Sequence, residues 1–240
     1  MAKLFRPVSA IVPIALATIM LGAPPGQSAE PARTAAQNVS EWRDAVARAR
    51  REQSTLPPTG DVHESIRRLV EIDEVARQYL WLADDMRLSE AERLNASRSI
   101  GEQLHEVDGE NTRRLLPLIP KEGWFSLRRY GAQTAHGAWL IVQHSPDRDL
   151  RARVLKAMER LVRRADADPH DYALLFDRVR TGAGQPQRFG TQATCRVAAD
   201  AVRTLAPLER PQEVDRLRAS IGWGVSLAET KGDLQIGRPC

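Results

Sequence analysis

The run "GAQTAHGAWLIVQH", Gly131 to His144, constrains the fold more than any other part of this chain. It contains no Asp, Glu, Lys or Arg, and a helix without a charged face is normally covered on most sides. The expectation is a buried central helix with the rest of a domain packed around it.

The flanking sequence supplies the partners. Asp61 can cap a helix to about Ala83, with Val62, Ile66, Leu69, Val70, Ala76 and Leu80 at helical spacing. Ser89 and Glu92 have capping-box spacing for a helix through about Val107; a shorter piece, Gly109 to Ile119, follows, distorted by Pro117. Asp147 caps an amphipathic helix whose apolar face carries Leu150, Val154, Leu155, Met158, Leu161 and Val162. Its other face, with Arg148, Arg151, Lys156, Arg160, Arg163 and Arg164 among acids, reads as solvated. Pro169 opens the helix containing "YALLFDRV", and Pro211 opens a last one that ends at Ser220. Between these, "QRFGTQATCRV" and "AVRTLAPL" read as short extended pieces. Upstream, Val39 to Glu52 is helical and strongly charged, and "STLPPTG" breaks it.

The fold class expected is therefore mainly α: a single-domain helical bundle around a buried central helix, with a small β-hairpin near the C-terminus. Residues 30–58 are read as a leader and charged N-terminal helix, 59–222 as the helical domain, and 223–240 as an irregular tail.

Residues 1–29 have the order of a secretory signal peptide. Lys3 and Arg6 precede the uncharged run Val8 to Leu21, and "GQSA" offers small residues for cleavage near Glu30. The expected location is periplasmic or secreted, with no stable membrane span after processing. Processing lowers the net charge from +4 to +2, because both basic residues lost lack acidic counterparts. No nucleic acid partner is expected from so weak a basic balance. The two cysteines, Cys195 and Cys240, can pair in an exported protein; equally, Cys195 can be a buried small hydrophobe and Cys240 a free terminal thiol.

Two polar residues interrupt apolar stripes. Asp73 falls on the stripe of Val62, Ile66, Leu69 and Leu80, with Arg77 one turn later and within reach. His144 ends the uncharged helix beside Leu140 and Ile141, and histidine suits acid–base work near neutral pH. A structural ion pair and a satisfied core histidine explain both equally simply. The chain has no GxSxG, HExxH, Walker loop or CxxC, and no two histidines stand at i, i+4. Neither a metal nor another cofactor is expected.

Six short motifs follow one another: "DEVAR" at Asp73–Arg77, "DGENT" at Asp108–Thr112, "GW" at Gly123–Trp124, "AWLIVQH" at Ala138–His144, "DR" at Asp177–Arg178 and "QRFGTQ" at Gln187–Gln192. In these the chain resembles an uncharacterised bacterial family, domain-of-unknown-function family 6624, from about Leu69 to Ser220. It departs from that pattern at Phe125, where proline is usual, at Phe189, where tyrosine is usual, and in the acid after His144, which comes one step late as Asp147. The resemblance implies that polar groups from separated segments converge on one site. The candidate catalytic residues are His144, Asp73 and Asp108; the candidate binding residues are Arg77, Asn111, Gln143, Asp177, Arg178, Gln187, Thr191 and Gln192. The glutamine-rich loop is read as a rim over a pocket floored by His144, with Gly190 permitting close backbone approach.

Two functions fit that reading. One is an exported hydrolase-like enzyme with His144 as general base on a small or anionic substrate. The other is a non-catalytic protein whose polar cluster binds a small ligand or only fixes the fold.

Overall fold

A computed structural model describes residues 33–195, 202–234 and 236 of the 240. The stretch 1–29, where a signal peptide is expected, and Cys240 lie outside these residues. Among the described residues are eight α-helices, three short 3-10 turns and one two-stranded sheet. They are α1 (Ala35–Ser54), α2 (Val62–Gln78), α3 (Glu90–Leu115), α4 (Leu127–His144), α5 (Arg148–Val162), α6 (Pro169–Gly182), α7 (Val214–Ser220) and α8 (Leu227–Asp233). The chain is mainly α-helical, with the hairpin near its C-terminus.

Side-chain caps start most of the helices. Asp61, Asp147 and Asp168 each accept a backbone N–H at the head of α2, α5 and α6. Ser89 and Glu92 form a reciprocal box at α3. Thr34 and Gln37 form another, so α1 begins at Ala35, within the stretch expected to be leader. Nor is α1 an appendage. Trp42 is buried and its indole N–H donates to the Ala76 carbonyl at 2.8 Å, while Asn38 Nδ2 donates to the Leu82 carbonyl at 2.9 Å.

Three expectations need correction. The break expected near Val107 is absent, because α3 runs on through Gly101 and Gly109 and ends in a 3-10 turn holding Pro117. Glycine costs only about 1 kcal/mol in a helix, which packing easily offsets. Second, α2 stops at Gln78 and a 3-10 turn, Leu80–Asp84, takes over. Third, the tail is not wholly irregular, since Ser226 and Glu229 box the start of α8. The uncharged helix itself is interrupted at Gly131 (φ 74°), so its regular part begins one residue later. From there Thr134, Ala135 and Gly137 through Trp139 are buried, as are Ile141, Val142 and Gln143.

Cross-helix bonds fix the directions. His63 meets Thr134 and Asp73 meets His144, both pairs 71 residues apart, so α2 and α4 run parallel. Gly137 seats that seam: a Cβ there would lie 3.0 Å from side-chain atoms of both Ile66 and Val70. Two turns further along each helix come Asp73 and His144. Ile66 and Leu69 of α2 join the larger core with α4, α5 and α6, whereas Ile72 and Ala76 join a smaller one with α1 and α3. Asp73 therefore sits at the boundary of two apolar clusters.

After α6 the strands Ala193–Cys195 (β1) and Arg203–Leu205 (β2) pair antiparallel, Thr194 opposite Thr204. Cys195 is disulfide-bonded rather than a free thiol.

Candidate functional site

The α2–α4 seam brings four charged or titratable groups into one chain of contacts. His144 Nδ1 lies 3.0 Å from Asp73 Oδ2. Arg77 Nη1 donates to Asp73 Oδ1 at 2.8 Å, and its Nη2 donates to Asp108 Oδ1 at 2.9 Å. Asp73 is only 1% exposed, so its charge needs these partners. A carboxylate can only accept, which assigns the Nδ1 proton to His144 and leaves a lone pair on Nε2 in the neutral ring. Among the described residues Nε2 has no partner, and the ring is partly exposed. Burial pushes the Asp108 carboxyl above its ordinary range, against the pull of Arg77.

Two further arginines approach this chain. Arg151 donates from Nη1 to the Ser145 carbonyl at 2.6 Å, which anchors it beside His144. Arg178 has no acidic partner among the described residues, and its Nε is buried without a hydrogen bond. Burial lowers the Arg178 pKa, and the nearby charges of Arg151 and Arg77 lower it further. The Nδ2 of Asn111, one turn beyond Asp108 on α3, and the Oε1 of Gln143 are likewise buried without partners in the protein. Of these groups, Arg178 is close enough to Arg151 and Arg77 to feel their charges, and Arg151 is held at the C-terminal end of the His144 helix.

The remaining sequence candidates do other work. Asp177 is fully buried and accepts from the backbone N–H groups of Arg188 (2.7 Å), Phe189 (3.0 Å) and Thr191 (3.0 Å) and from Thr191 Oγ1 (3.0 Å). Gln187, also fully buried, donates to the carbonyls of Gln192 and Ala206 and accepts from Gln192 N–H. The Gln192 amide donates to Thr191. Arg218 clamps the loop from the other side, donating to the carbonyls of Phe189 and Gly190 at 2.8 and 3.3 Å. The loop's uncharged polar groups satisfy one another, so Asp177, Gln187 and Thr191 have nothing to offer a ligand. Gly190 does serve close approach: at φ 68°, an added Cβ would lie 2.6 Å from Leu227 Cδ1. Adjacent helical positions point about 100° apart, which is why Asp177 turns to the loop while Arg178 turns toward Arg77.

Other polar groups escaped sequence reasoning. Arg151 was read as solvated, and nothing in its spacing marks it off from its neighbours. His136, two turns before His144, forms a second dyad: its Nδ1 lies 3.0 Å from both Asp171 oxygens, and its ring stacks on Trp139 at 5.1 Å. Burial raises the Asp171 pKa to about 6, although His136 opposes it. The "HDY" that follows Pro169 gave no hint of the pairing. His136 lines two cavities of about 340 and 520 Å³ on either side of α4, neither of which includes His144. Among the described residues no group of three or more His, Cys, Asp or Glu side chains could hold a metal ion.

Fold and site together define a helical domain with two aspartate–histidine dyads whose histidines share one helix, α4. A family model matches residues 60–230, and the chain belongs to that family, DUF6624, described as a family of unknown function. No curated protein and no solved structure matches the chain. The match begins after α1, although α1 packs on the smaller core.

Proposed function

We propose that the surface around His144 binds a small anion and that His144 acts there as general base in hydrolysis of an anionic ester. The observation that carries this is Arg178: a guanidinium with a buried, unpartnered Nε, set beside Arg77 and Arg151 without a counter-ion of its own. An anion would supply the missing charge and acceptors. His144 Nε2 would take a proton from water as its oxygen bonds to the electrophilic centre, and the leaving group would depart with a proton in turn. Asp73 would hold the ring's tautomer and stabilise the imidazolium, with Arg77 and Asp108 fixing Asp73.

Chromogenic phosphate, sulfate and carboxylate esters offered to wild type and His144→Ala test the proposal. Turnover lost in a folded His144→Ala variant supports it; turnover that survives the substitution refutes the base. One observation favours the alternative of a binding protein: the dyad, Arg77 and Asp108 already satisfy one another, and the two cavities beside α4 lie elsewhere. Tight anion binding without turnover would establish that alternative.

The proposal includes export, supported by the Lys3/Arg6 and apolar order and by the disulfide at Cys195, a bond that persists in oxidising compartments. Sequencing the N-terminus of protein from its own cells should return a start near Glu30; a start at Met1 or Ala2 would refute it.

A further inference from the structure

We propose that the cavity walled by Trp124, Phe125, Leu127 and Met158 is a second binding site, for a small organic ammonium ion with an apolar or aromatic body. The cavity, about 340 Å³, is in the size range of small-molecule sites. Its polar lining is Gln133, His136, Asp168 and Asp171, and no Lys or Arg lines it.

Those groups select the charge of the occupant. Asp168 and Asp171 are acceptors, and His136, its Nδ1 proton committed to Asp171, presents only a lone pair at Nε2 when neutral. A ligand there has to donate. An anion meets two carboxylates, whereas an ammonium meets two counter-charges, and its apolar body meets the aromatic wall of Trp124 and Phe125. Asp171 is 4% exposed, and among the described residues His136 is the only side chain that pairs with its carboxylate. Its raised pKa has the same cause, a buried charge incompletely compensated. The neighbouring 520 Å³ cavity, floored by Ile66, Val70 and Leu140, shares His136, Gln133 and Ala132 and gives a longer body somewhere to extend. This site stands apart from the His144 proposal, because eight helical residues place the two histidines ~12 Å apart.

Methionine reports on it directly. Met158 lines the cavity, while Met86 is 77% exposed and serves as an internal control. Protein carrying ¹³C-methyl methionine is titrated at pH 7.5 with 2-phenylethylamine, with neutral 2-phenylethanol and with anionic phenylacetate. The amine should move the Met158 resonance saturably and leave Met86 in place, the alcohol should bind more weakly, and phenylacetate should not bind. Asp171→Asn should weaken the amine by about tenfold or more and erase its advantage over the alcohol. If that variant fails to fold, Asp168→Asn retains the helix cap and should also lower amine affinity. Phenylacetate binding as tightly as the amine, an unmoved Met158 with all three probes, or full amine affinity in the folded variant would each overturn the proposal.

Discussion

Replacing Arg178 by methionine should make the ligand-free protein more stable while abolishing the proposed anion binding. The side chain's Nε is buried without a partner, a defect worth about 1–3 kcal/mol in mutational series. Burial, and after it the charges of Arg151 and Arg77, lower the Arg178 pKa, so the charged form is disfavoured where it sits. Methionine keeps much of the apolar stem and removes both penalties, so a net gain of about 1–2 kcal/mol is expected. For a domain of this length that corresponds to a melting temperature higher by about 3–6 °C. The comparison belongs in phosphate-free buffer of low ionic strength at pH 7.5, by calorimetry or circular dichroism. Inorganic phosphate at about 100 times its Kd should then stabilise wild type by about 2.7 kcal/mol and leave the variant unmoved, reversing their order. A variant less stable than wild type without anion, or equal stabilisation of both by phosphate, would refute the reasoning.

Other substitutions test the surrounding architecture. Arg77→Met strands Asp73 and Asp108 and should cost about 3–5 kcal/mol, measured as a lower urea midpoint. Asp177→Ala deprives three backbone N–H groups and Thr191 of their acceptor; it should cost about 3 kcal/mol or more and speed hydrogen exchange at Arg188, Phe189 and Thr191. Asp171 has a native pKa of about 6 against 3.8 for the free side chain, so the stability tied to its proton is present below about pH 4 and lost as pH rises through 6. Asp171→Asn lacks that loss, and its stability relative to wild type should improve by roughly 2 kcal/mol between pH 4 and 7.5. His136, Asp168 and His170 surround Asp171 in both proteins, so the difference between the two pH curves is the quantity to read.

Parts of this molecule were legible because local chemistry and tertiary packing agree. The caps Asp61, Ser89 and Asp147 begin helices where their spacing says they should. The chargeless stretch before His144 is buried along most of its length. Where reading failed, packing decided what local propensity leaves open. Gly109 does not end α3, and α1 belongs to the smaller core because Trp42 reaches Ala76 on another helix. The Ser226/Glu229 spacing was visible and went unused. At the site, Asp73 with Arg77 followed from an i, i+4 spacing, whereas the third and fourth members, Asp108 and His144, are brought in by helix packing. The glutamine loop shows the converse. Its composition suggests ligand contacts, yet Asp177 on the helix just before it and Arg218 on a later helix engage its backbone instead.

The proposed function requires that an anion bind beside His144. The direct measurement is an ¹⁵N imidazole spectrum of the protein during titration with inorganic phosphate at constant pH and ionic strength. The Nε2 resonance of His144 should shift saturably, His63 and His105 should stay fixed, and Arg178→Met should abolish the shift. A His144 signal that stays fixed up to saturating phosphate, or one that shifts equally in Arg178→Met, would contradict the account.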